Sequence, residues 1–201
     1  MDAFNFAFSL FAIILGLSLV EVLTGFARAL KRRRVARSVG LDGTSHPNTH
    51  LGWLTPLLAI FVMLDLTSFW EFGWGARRFV DPQYGILVIG LFMCGLYYIA
   101  ASLVFPSEFG ERADFDAHYI DHRRQVLGAI LICDFIEMAP VLILRASEIP
   151  ARVWAENVLQ FGALLTGVIT PNKRANIAAL TVLICVYLYS GMMSFIYPVP
   201  L

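Results

Sequence analysis

The chain has 201 residues, 58% of them hydrophobic and 15% charged, and its 15 lysines and arginines balance 15 aspartates and glutamates. Six long apolar stretches take up nearly all of that length, which excludes a separate soluble domain of ~100 residues and leaves any chemistry inside a bundle of spans or at its rims. The net charge of zero hides a strong segregation of sign along the chain and says nothing about partners.

A hydrocarbon core of ~30 Å is crossed by about 20 apolar residues at ~1.5 Å of helix rise each. The first stretch that passes runs from about Ala3 to Leu30, and the second from Leu51 to about Trp74. The third covers Tyr84 to Phe105, the fourth Gln125 to Leu144, and the sixth Ile177 to Tyr197. The fifth, about Ala151 to Thr170, is weaker because Arg152, Glu156, Asn157 and Gln160 crowd its first half; it either crosses, lies partly in the interface, or packs inside the bundle. Continuous apolar runs lack the in-and-out alternation of a barrel strand, and backbone in lipid must satisfy its own hydrogen bonds. The expected fold is therefore an all-α integral membrane protein, one polytopic domain over residues 1–201. It has six transmembrane helices, or five if the weak stretch does not cross, and a short interfacial helix before the fourth span.

Asp2 stands where a cleavable signal would carry Lys or Arg, and the first apolar run is too long for one, so this span is expected to stay as an N-out anchor. With the N-terminus outside, the inner side collects Arg28, Lys31, Arg32, Arg33, Arg34, Arg37, Arg112, Arg123, Arg124, Lys173 and Arg174, eleven in all. The outer turns hold Arg77, Arg78, Arg145 and Arg152, and basic residues in short loops favour the cytoplasm. The expected address is a bacterial inner membrane, with residues 31–50 as a basic cytoplasmic loop. Its Lys31, Arg32, Arg33, Arg34 and Arg37 are expected to set topology and rest on lipid headgroups, each worth about 1 kcal/mol near an anionic leaflet. Without interleaved aromatics, so short a loop gives no reason to expect nucleic acid as a partner.

Four carboxylates at membrane depth ask for a functional account. Glu21 lies in the inner third of the first span, Asp65 in LAIFVMLDLTSFW, and Asp134 with Glu137 in GAILICDFIEMAP. A central charge costs at least ~2.5 kcal/mol on insertion scales, so such residues face the bundle interior or water and often mark proton or ion pathways. Asp134 and Glu137 are three apart and share a helix face. Two carboxylates so close in low dielectric do not both ionise readily, so one keeps an exchangeable proton. Pro140 removes the amide that would bond the Ile136 carbonyl. No Lys or Arg lies at the centre of any span, so these acids must be neutral, hydrated, or bonded to polar neighbours such as Ser9, Ser18, Thr24, Thr67, Ser68, Tyr97 or Tyr98. A purely structural network of protonated acids and hydroxyls is the plain alternative to a proton or cation path.

Within residues 107–124, an acidic and histidine-rich cytoplasmic segment, Asp114, His118, Asp121 and His122 form one helical stripe while Phe115, Tyr119 and Ile120 can face the membrane. Two histidines at i and i+4 can reach one metal ion, with Asp114 and Asp121 as further ligands or acceptors. The H-E-x-x-H acid is missing, and an amphipathic interfacial helix with a solvated face explains the same pattern. His46 and His50 lie on the same side and would complete a four-histidine set if the loops met. Glu71 in FWEFGWG, near Arg77 and Arg78, reads as a rim ion pair beside Trp70 and Trp74, and Arg152 with Glu156 as an i,i+4 pair. Cys94, Cys133 and Cys185 fall in apolar stretches without a C-x-x-C and read as small core residues.

No phosphate loop, nucleophile elbow, haem-attachment motif or lysine within a span is present, so no catalytic residue is assigned and no cofactor is expected beyond an optional metal ion. Three functions from different classes remain: a transporter or channel subunit moving protons or cations past Asp134, Glu137, Asp65 and Glu21; a non-catalytic membrane partner of a larger complex, or a homo-oligomer; and an intramembrane metal-dependent enzyme using His118 and His122. The lipid bilayer is a partner in each.

Overall fold

A computed structural model describes residues 3–39, 52–77, 83–106, 114–145 and 149–196. Those residues form six α-helices and no strand: α1 (Ala3–Val39), α2 (Leu54–Ala76), α3 (Tyr84–Leu103), α4 (Phe115–Arg145), α5 (Ala151–Ile169) and α6 (Lys173–Ile196). Five of them, all but α5, are long and apolar enough to cross a membrane. The fold is the expected all-α polytopic bundle. Polar residues in its first turns keep α5 below that apolar standard, yet it packs between α4 and α6 as a full member of the bundle.

Two helices run well past the hydrocarbon. α1 has 37 residues, about 55 Å at ~1.5 Å each, against a core of ~30 Å. Lys31, Arg32, Arg33, Arg34 and Arg37 therefore ride the last turns of α1 instead of opening a loop. Lys and Arg are good helix formers, and cations suit a helix C-terminus. The rest of the expected basic loop, His46 and His50 included, lies outside the described residues, as do residues 107–113. α4 likewise starts at Phe115 and runs unbroken to Arg145, so the expected interfacial segment forms its first turns rather than a helix of its own. Asp114 opens it: one carboxylate oxygen accepts from the amides of Asp116 at 2.9 Å and Ala117 at 3.1 Å, satisfying donors that the first helical turn leaves free. Pro140 sits inside α4 without ending it.

The placement of Phe115 and Tyr119 against the membrane is corrected. They are 1% and 0% exposed, turned into the bundle. Thr55 Oγ1 donates to the Phe115 carbonyl at 2.7 Å, and Tyr119 Oη donates to Asn176 Oδ1 at 2.7 Å. These partners on α2 and α6 hold the first turns of α4 inward. Asp116 completes the join, accepting from the Leu54 amide at 3.4 Å and pairing with Lys173 at 3.4 Å. One carboxylate thus ties together the N-terminal ends of α2, α4 and α6.

The helices close a ring in the order α1, α3, α4, α5, α6, α2, with α2 and α4 also touching across its middle. Two four-helix groups share α2 and α4. The N-terminal ends of α2, α4 and α6 meet at one end of the bundle, the basic end; the N-terminal part of α1 and the C-terminal part of α2 meet at the other, the aromatic end. At the aromatic end Phe8 of α1 packs on Trp70 and Trp74 of α2 at 5.6 and 5.5 Å, and Arg77 lies 3.8 Å over the Trp74 ring. Arg77 thus stacks on an aromatic face, a cation–π contact, in place of the expected pairing with Glu71, which is exposed. Outside, large apolar side chains such as Ile13, Phe135, Ile143 and Val158 are exposed. An apolar shell of that extent is a liability in water and the natural face of a protein in lipid.

Gly25 marks the close approach of α1 to the end of α3. A methyl group there would fall 2.6 Å from Phe105 Cγ, whereas one at Gly16 on the same helix meets nothing within 4 Å. Gly16→Ala should stabilise by up to about 1 kcal/mol through helix propensity alone. Gly25→Ala should cost about 1–3 kcal/mol from overpacking. Thermal unfolding midpoints of the two variants in detergent check the opposite signs.

Candidate functional site: an acidic cavity inside the bundle

Asp65 stands at the middle of α2, and Asp134 and Glu137 follow one another on a single face of α4. Where those faces meet α5 and α6 the helices leave a cavity of about 260 Å³, lined by all three acids together with Tyr97, Gln160 and Tyr187. The expected convergence of Asp65, Asp134 and Glu137 is therefore present in the folded chain. Asp65 and Asp134 are 1% and 7% exposed, so the surrounding helices turn both away from lipid.

A chain of hydrogen bonds joins the acids of α2 and α4 through α5 and α6. Gln160 Nε2 donates to Asp134 Oδ2 at 2.8 Å and to Tyr187 Oη at 2.8 Å. Tyr187 Oη in turn donates to Asp65 Oδ1 at 2.5 Å. The amide and the phenol supply part of what lysine or arginine would supply elsewhere. They do not supply all of it. Asp65 Oδ2, Glu137 Oε1 and Tyr97 Oη are buried without a hydrogen-bond partner, although Tyr97 stands close enough to act on the Asp65 carboxyl. Among the described residues no lysine, arginine or histidine lines the cavity, and Asp65 acts electrostatically on both Asp134 and Glu137. Like charges in low dielectric repel, and full ionisation of the cluster is therefore disfavoured.

A layer of buried apolar side chains lies beyond the acids at one end of the cavity. One helical turn toward the basic end, four residues along each helix, Asp65 is followed by Phe61, Asp134 by Ile130, Gln160 by Leu164 and Tyr187 by Leu183. All four are 0% exposed. In the other direction the lining continues through Phe72, Val141, Ile149 and Val153, toward the aromatic end. The lining thus runs from the polar layer toward the aromatic end, with buried apolar side chains beneath it.

The other residues singled out by the sequence fall elsewhere in the bundle. Glu21 is exposed on α1, outside the cavity. His118 Nε2 bonds the Leu103 carbonyl at 3.0 Å, His122 Nδ1 bonds the His118 carbonyl at 3.0 Å, and the two rings stack at 4.2 Å. Asp114 is spent on capping, and Asp121 is exposed. Among the described residues no three His, Cys, Asp or Glu side chains gather closely enough to hold a metal ion, so His118, His122, Asp114 and Asp121 are not brought together as ligands. Ser9, Ser18 and Thr67 bond carbonyls of their own helices and leave the acids alone. Arg152 and Glu156 form the expected pair at 3.3 Å. Cys94 and Cys133 are buried and Cys185 is exposed.

Sequence reasoning missed Gln160, Asn157 and Tyr187 as site residues. The signal was present: the polar crowding that made the fifth span look weak is what equips α5 to face an acidic cavity.

Removing one link of the Asp134–Gln160–Tyr187–Asp65 chain strands the next, so Gln160→Leu and Tyr187→Phe should be non-additive. A double-mutant cycle on unfolding in detergent should return a coupling of about 0.5 kcal/mol or more; additive effects would contradict the network. Comparison with protein-family models, curated proteins and solved structures finds no match for this chain.

Proposed function

We propose that this protein is a small multi-pass transporter, or the transporting subunit of a larger one, that takes protons or cations into the membrane at Asp65, Asp134 and Glu137. One observation carries the reading: three carboxylic acids from two helices share a cavity with buried polar oxygens short of partners and, among the described residues, no basic residue in its lining. Ionisable groups are costly to bury at membrane depth, and they concentrate on ion and proton paths. A structural network would be expected to use up its acceptors, whereas Glu137 Oε1 is left without a partner.

The basic end belongs to the cytoplasm of a bacterial inner membrane on this reading, following the excess of Lys and Arg there, and the N-terminus lies outside. The cavity then faces outward. Phe61, Ile130, Leu164 and Leu183 form the barrier to the cytoplasm, and transport requires that layer to part while the aromatic end closes. Such opening of one side at a time around a midplane site is how secondary transporters avoid a leak.

Asp134→Asn combined with Glu137→Gln should lower proton or cation flux about tenfold or more, the equivalent of losing one charge-assisted interaction of about 1.5–3 kcal/mol. Proteoliposomes loaded with a pH-sensitive dye, with sodium and potassium gradients applied in turn, measure it. The variant must remain membrane-inserted and monodisperse. Glu21→Gln, outside the cavity, should leave the flux unchanged. Wild-type flux in the double variant would overturn the proposal.

A further inference from the structure

Taking the cation reading as its basis, we propose that the cavity is a binding site for a small organic ammonium ion carrying an apolar tail. The acids line the space without closing on one point: among the described residues no three His, Cys, Asp or Glu side chains gather closely enough to hold one metal ion. A bare inorganic cation would need about six oxygens at short, uniform distances. An ammonium group needs only a few acceptors set apart from one another, because its N–H bonds point in different directions.

Two acceptors are waiting. Glu137 Oε1 is buried, lines the cavity and has no hydrogen-bond partner, and Asp65 Oδ2, on a side chain 1% exposed, has only the nearby Tyr97 hydroxyl beside it. Beside them stand aromatic faces. Phe69, Phe72, Tyr97, Phe161 and Tyr187 all line the same space, with the Phe69 and Tyr97 rings 4.8 Å apart. Rings around carboxylates favour an organic cation, which is weakly hydrated and gains from the negative ring faces, over a strongly hydrated metal ion. Tyr97 Oη stands beside the Asp65 carboxyl in the same space.

The cavity's polarity is graded along its axis, and this orients the ligand. Asp65, Asp134, Gln160 and Tyr187 lie at the floor, with Ser68, Glu137 and Asn157 above it, three residues along from the first three. Phe72, Val141, Ile149 and Val153 line the way to the aromatic end. The ammonium head seats against Asp65 and Glu137, and the tail lies among the apolar residues of the mouth. At about 260 Å³ the space is near the lower limit of ~300 Å³ for ligand pockets, which suits an amine of a single ring or a short alkyl chain.

Isothermal titration of the protein in lipid nanodiscs with phenethylammonium tests this, with phenethyl alcohol as the uncharged counterpart. Phenethylammonium should bind, and Asp65→Asn or Glu137→Gln should each weaken it about tenfold or more. Phe69→Leu, which keeps bulk and acids and removes one π face, should weaken it about threefold, and this variant serves if an acid variant fails to fold. Equal heats from the alcohol, displacement by sodium or calcium at matched concentration, or unchanged affinity in every variant would overturn the ammonium site. Proton flux that depends on Asp134 and Glu137 without amine binding would overturn only this inference. Amine binding without any flux would overturn transport and leave the site standing.

Discussion

The cost of a carboxylate in hydrocarbon governs how this bundle is put together. Asp65, Asp134 and Glu137 sit at depths where lipid offers no hydrogen bond, so the helices that carry them must turn those faces toward one another and toward donors on α5 and α6. Gln160 and Tyr187 answer that demand by linking Asp134 to Asp65. The contact of α2 with α4 across the middle of the ring, and the seating of the polar α5 between α4 and α6, follow from the same requirement. α5 is too polar to be read as a span by composition, and that polarity is matched by the acids it serves.

A second polar layer at the basic end holds the frame. Asp116 pairs with Lys173 and accepts from the Leu54 amide, and Tyr119 bonds Asn176 within the same helix ends. Between the two polar layers lies the dry stratum of Phe61, Ile130, Leu164 and Leu183. A polar join at the basic end, a buried apolar layer, and an acidic cavity on the far side of it follow one another along the bundle. In the proposed cycle the barrier is the element that must open.

Much of this was legible in the sequence, for physical reasons that also mark its limits. Length and hydropathy located five spans, because bilayer thickness fixes how many apolar residues a crossing needs. The i,i+3 spacing placed Asp134 and Glu137 on one face. Helix ends were less legible: α1 continues to Val39 and α4 begins at Phe115 because hydrogen-bonded turns go on past the hydrocarbon wherever residues allow, and apolarity marks only the part in lipid. Helix rotation was the least legible. In water an apolar stripe identifies the buried face, but lipid is as apolar as a helix interior, so the outward face carries the same residues. That is why Phe115 and Tyr119 read as membrane-facing while the structure buries them, and why nothing local distinguished the exposed Glu21 from the buried Asp65. Pairing Tyr187 with Asp65, 122 residues away, requires the assembled bundle.

The central claim is that the acid face of α4 looks into an aqueous-accessible cavity and not into lipid. Spin labels at position 137, which lines the cavity, and at position 135, where Phe135 is 64% exposed on the outer surface, address it directly in reconstituted membranes. Collisional relaxation should be dominated by a water-soluble nickel chelate at 137 and by dissolved oxygen at 135. Oxygen-dominated relaxation at 137, equal to that at 135, would contradict the claim.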